Sequence, residues 1–174
     1  MSQDQRSSWE DRFAKKFGQK KAAQQEQRKN FSVYKDCVLN IFRSIEEKVI
    51  KVPDIKMTKN LIARTADYRR GVKGELETIN VLRLRCQDSY IEFVPEGINF
   101  SNTKGRIRVR HNAKGLEPFL YLSLVLDPKS DASYPENLIW VLVRHDGRGQ
   151  PPKTGTRFNE QLIESVLEKV FLEE

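Results

Sequence analysis

The chain is poor in the residues that most metal and covalent chemistry requires. Its 174 residues include two cysteines, Cys37 and Cys86, and two histidines, His111 and His145. The cysteines lie far apart and belong to no CxxC or metal-spaced cluster. That argues against a structural zinc site and for two reduced, buried thiols. No GxSxG, HExxH, P-loop or GxGxxG pattern occurs, so no cofactor and no metal are expected and the reading leans away from an enzyme. No apolar run approaches the roughly 20 residues of a membrane span. The leading MSQDQRSSWEDR lacks the hydrophobic segment of a secretion signal, so the expected compartment is the cytoplasm. Hydrophobic residues make up only 38% of the chain, which places part of it outside the core.

Positive charge is abundant and unevenly spread. Residues 1–74 hold 18 Lys/Arg against 9 Asp/Glu, a net +9, and residues 75–174 hold 13 against 15, a net −2. A basic first half calls for an acidic partner. Nucleic acid and an acidic protein surface lead, with an anionic membrane surface behind them, and a solvated arm that only aids solubility is the plain alternative.

The pattern divides the chain in two. Residues 1–30 are Gln- and Lys-rich with almost no apolar stripe at their centre, and read as a basic, flexible or partly helical arm. Residues 31–174 read as a single α+β domain. Phe31, Tyr34, Val38, Ile41, Phe42, Ile45 and Val49 recur at helical spacing, predicting an amphipathic helix that ends before Pro53. The stretch KNLIARTADYRR suits a short helix. From residue 75 onward LETINVLRLRC, SYIEFV, GRIRVRH, PFLYLSLVLD and NLIWVLVRH read as strands joined by short turns. Phe158 to Phe171 returns to helical spacing after a capping stretch at residues 154–156. The expected fold is an N-terminal amphipathic helix, a four- to five-stranded, mainly antiparallel meander sheet, and a C-terminal helix packed on that sheet.

Four features carry candidate chemistry. In GRIRVRH, period-two alternation puts Arg106, Arg108 and Arg110 on one strand face. Such a row can grip a phosphate backbone, and it is equally what a solvated or edge strand looks like. Val109-Arg110-His111-Asn112 is echoed by Val143-Arg144-His145-Asp146. With one strand between them, both would emerge at the same end of the sheet. His111 and His145 would then be an acid–base pair for a metal-independent phosphodiesterase, against the plain reading of polar strand ends. In WEDRFAKKF, Trp9, Phe13 and Phe17 stand at i, i+4 and i+8 among Arg12, Lys15, Lys16, Lys20 and Lys21, a face suited to a protein groove, to a bilayer or to the chain's own domain. Gly18 and the polar stretch after it argue against one rigid helix reaching Phe31. The fourth feature is the Gly- and Pro-rich basic loop at residues 145–157, read as a surface connection rather than a phosphate loop.

The leading functional expectation is a non-catalytic protein that contacts RNA or single-stranded DNA through Arg106, Arg108, Arg110, Arg144, Lys15, Lys16, Lys20 and Lys21. The alternative is an adaptor or assembly subunit that docks a protein partner through Trp9, Phe13 and Phe17, and the phosphodiesterase stands third. Oligomeric state is left open by the sequence.

Overall fold

The computed structural model describes residues 8–69, 75–100, 102–144 and 155–173. The first described element is a long helix, α1 (Trp9–Val49), followed by short strands β1 (Lys56–Thr58), β2 (Ile62–Asp67) and β3 (Glu75–Asn80). The body of the sheet is β4 (Leu82–Cys86), β5 (Ser89–Ile98), β6 (Gly105–His111), β7 (Leu120–Leu126) and β8 (Leu138–Arg144). A two-residue β9 (Thr156–Arg157) leads into α2 (Glu160–Phe171). The class is α+β, as the pattern implied, and the pairing is antiparallel along β1-β4-β5-β6-β7-β8-β9. The β2–β3 hairpin joins this path through a short parallel pairing of Ala66 and Asp67 with Gly97 and Ile98.

The strand count corrects the expectation of four to five, for the described residues form nine. Residues 76–86 break at Val81 into two strands with different partners, β3 on β2 and β4 on β5. The segment read as a short helix is instead β2. Its buried residues are Ala63, Thr65 and Asp67, small or polar side chains that give no hydrophobic periodicity to read. β1 and β9 are three and two residues long, too short for any pattern. The C-terminal helix also starts later than expected. Its cap is Asn159, whose side chain accepts from the Leu162 amide at 3.0 Å.

α1 crosses the expected arm boundary without a break. Ser8 and Asp11 form a capping box at its start, and Ala, Gln, Lys and Glu fill the stretch after it. At 1.5 Å per residue the 41-residue helix is about 60 Å long. Its buried residues begin at Phe31 and end at Val49. The packed half supplies the nucleus, so extending the helix outward costs only propagation, and Gly18 adds a penalty of about 1 kcal/mol, too little to stop it.

Both helices lie on one face of the sheet. Phe42, Ile45, Ile163, Val166 and Val170 meet Leu84, Ile91, Phe93, Ile107, Val109, Leu122 and Leu124 in one continuous core. The buried Tyr34 fixes α1 to a bulge in β5: its hydroxyl donates to the Arg106 carbonyl (2.8 Å) and accepts from the Gly97 amide (3.3 Å). Burial pushes the Tyr34 phenol well above its ordinary pKa, so it stays neutral. The Trp140 indole donates to the Cys37 carbonyl of α1 at 3.2 Å. Among the described residues no helix is long and apolar enough to cross a membrane.

Candidate nucleic-acid interface

An antiparallel sheet with helices on one side turns its other pleat away from them. Cross-strand partners point to the same face, so the register gives the composition of that uncovered face row by row. Lys56, Arg85 and Tyr90 form one row. Thr58, Arg83, Glu92 and Arg110 form the next. Val94, Arg108, Tyr121 and Val143 follow, then Arg106, Ser123, Val141 and Arg157. Cations on β1, β4 and β6 therefore share this face with two tyrosine rings, Tyr90 on β5 and Tyr121 on β7, and toward β8 the face is closed over, with Ser123 and Val143 buried.

Two buried carboxylates organise the arginines. Glu96 is paired with both Arg106 (Nε to Oε2, 2.5 Å) and Arg108. Glu92 is paired with Arg83. The Arg106 guanidinium also lies over two rings, 3.8 Å from the Phe100 centroid and 4.5 Å from that of Tyr121, and Phe100 meets the exposed Tyr68 in a tilted contact, ring centroids 3.7 Å apart. Arg106 is thereby held in place more than it is offered to a ligand. Arg85 and Arg110 are exposed and have no carboxylate partner among the described residues. The Arg85 Nε donates instead to the Gln87 carbonyl at 2.9 Å.

At the edge of this face lies a groove of about 490 Å³ lined by Arg83, Arg85, Asp88, Tyr90, Glu92 and Arg110. Its rim is the turn between β4 and β5, where Gln87 takes a left-handed φ of 52°. The turn is braced twice, by the Arg85 bond to Gln87 and by the Asn112 side chain. Asn112 donates to the Asp88 carbonyl (2.7 Å) and accepts from the Tyr90 amide (2.9 Å).

The structure brings together only part of the expected set. Arg106, Arg108 and Arg110 share the uncovered face. Arg144 pairs with Leu120 in the register, so it points to the helix side, opposite that row, with its Nη1 3.8 Å from Glu117. His111 also points to the helix side, opposite Ile91. Its Nε2 is 2.9 Å from the Glu117 carbonyl oxygen, and its buried Nδ1 has no partner among the described residues. His145 and all but the last three residues of the basic loop lie outside the described residues. Lys15, Lys16, Lys20 and Lys21 are exposed on the projecting half of α1, remote in sequence from the packed half. Trp9, Phe13 and Phe17 are 67%, 60% and 62% exposed, with successive ring centroids 6.2 and 6.0 Å apart. Among the described residues no group of three or more His, Cys, Asp or Glu is placed to hold a metal.

Arg83, Arg85, Tyr90 and Tyr121 were not among the expected site residues. The RLR of LRLRC carries the same alternation as RIRVR and was a usable signal. The tyrosines were assignable only once the register was known. Comparison of the chain with protein-family models, with curated proteins and with solved structures gives no match.

Proposed function

We propose that this chain is a non-catalytic nucleic-acid-binding protein that lays a single strand, RNA or DNA, across the helix-free face of its sheet. The observation that carries the reading is the register: Tyr90 and Tyr121 share a pleat with Lys56, Arg83, Arg85, Arg108 and Arg110. A single strand needs flat rings for its bases and spaced cations for its phosphates, and a one-sided antiparallel sheet supplies both at strand spacing. Arg85 and Arg110 are the principal phosphate contacts, because neither has a carboxylate partner among the described residues. His111 takes no part, since its ring faces the helices.

The test is fluorescence anisotropy of labelled single-stranded RNA, single-stranded DNA and duplex DNA over a range of salt. Single strands bind in preference to duplex, and affinity falls as salt rises. Replacing Arg85 and Arg110 by alanine reduces the slope of log affinity against log salt by about 0.7 each. No binding at low salt, or binding indifferent to salt, rules the reading out.

A second reading is favoured by one observation of its own, the uncovered ladder of Trp9, Phe13 and Phe17 on the projecting half of α1. Anchors at i, i+4 and i+8 fit a helix laid in the groove of an acidic partner protein, which would make the chain an adaptor. Ser substitutions at Phe13 and Phe17 separate the two readings, because they leave the sheet face intact. Loss of strand binding in that variant would move the interface from the sheet to the arm.

A further inference from the structure

The groove at the β4–β5 turn contains something a phosphate track does not need. Phosphates call for cations alone, yet this groove also holds Asp88, an exposed carboxylate with no hydrogen-bond partner among the described residues. Glu92 beside it is already taken up by Arg83. A nearby carboxylate repels phosphate, so a groove built only for backbone contact would be better without it.

Asp88 is also held in position. Arg85 and Asn112 grip the backbone of its turn from two sides, and Asn112 at the same time receives the Tyr90 amide. The acceptor, the ring and Arg85 therefore belong to one braced unit, and Arg110 on the neighbouring strand lines the same groove. A volume of about 490 Å³ falls within the usual range of small-ligand pockets, large enough for one nucleotide.

Resting on the single-strand reading above, we propose that this groove reads one base of the strand. The base stacks on Tyr90, its flanking phosphates meet Arg85 and Arg110, and Asp88 accepts hydrogen bonds from the base's pairing edge. An ionised carboxylate is an acceptor only. Guanine presents two adjacent N–H donors on that edge and pairs with both carboxylate oxygens, in charge-assisted bonds. Adenine and cytosine each present one amino donor. Uracil and thymine flank their single N–H with two carbonyls that face the carboxylate unfavourably. The order of preference is guanine, then adenine and cytosine, then uracil or thymine.

The probes are labelled oligouridylates of equal length, one all-uridine and the others carrying a single central guanosine, adenosine or cytidine. They are titrated against the full chain. The guanosine strand binds about tenfold tighter than all-uridine, the discrimination of one good bidentate contact. Asp88→Ala brings the guanosine strand down to the uridine level. Equal affinity for all four strands, or a guanosine preference that survives Asp88→Ala, overturns base reading by this groove and leaves strand binding standing. Failure of every strand to bind removes both.

Discussion

Gly97 shows what one missing side chain permits. Its φ of +130° is closed to other residues, and a Cβ there would sit 2.0 Å from the Ala66 carbonyl oxygen. The close approach is what allows β2 to pair in parallel with the end of β5. Gly97→Ala should therefore lower stability by about 3 kcal/mol or more, from backbone strain and overpacking together, read as a drop in the urea midpoint. Nearby, the Asp67 carboxylate is fully buried and receives hydrogen bonds from Arg69, Asn99 and Gln27. Burial by itself would raise its pKa. The hydrogen bonds from Arg69, Asn99 and Gln27 outweigh that and hold it below the usual aspartate value. A depressed folded pKa means stability that is present above the ordinary aspartate pKa and lost as pH falls through the lower folded one. Asp67→Asn should cost about 2 kcal/mol at neutral pH, and the gap between variant and parent should close in acid. A gap that stays constant from neutral pH to pH 3 would show that the charge is not what matters there.

At the scale of elements, α1 is two objects in one helix. From Phe31 to Val49 it buries a stripe of seven residues, and from Trp9 to about Glu26 every residue is exposed. Deleting residues 1–24 should change the unfolding free energy by no more than about 0.5 kcal/mol, while Ile45→Ala in the packed half should cost about 2–5 kcal/mol. Chemical denaturation of both variants checks the contrast. The start of the buried stripe at Phe31 was readable from residue types alone, because an apolar stripe either exists or does not. Whether the arm is helical was not. That depends on the packed half acting as a nucleus, a cooperative property no local window contains.

For the whole molecule, the decisive quantity is how much of the basic surface is neutralised internally. Glu96 alone holds two arginines of the central row. Glu96→Gln should weaken the fold by about 2 kcal/mol and, on the proposed function, tighten single-strand binding with a steeper salt slope. Parallel denaturation and anisotropy measurements on that variant separate the two effects. Unchanged affinity would mean that Arg106 and Arg108 are structural residues only.

The α+β class, the packing stripe of α1 and the shared face of Arg106, Arg108 and Arg110 follow from residue periodicity, and the antiparallel order of the main strands from the short turns between them; both are written in the chain itself. That the described residues form nine strands instead of four or five was hidden because β2 buries small and polar residues, and because β3 and β4 form one run of sequence until their partners divide them. Arg144 resembles Arg110 in its sequence surroundings, yet the register turns it to the other face. Glu92 and Glu96 look like ordinary strand carboxylates until β6 and β4 bring arginines against them. The sequence determines which face of its own strand a side chain occupies. Which side chains meet across strands, and so which charges cancel and which remain to bind, is decided only when the register is formed.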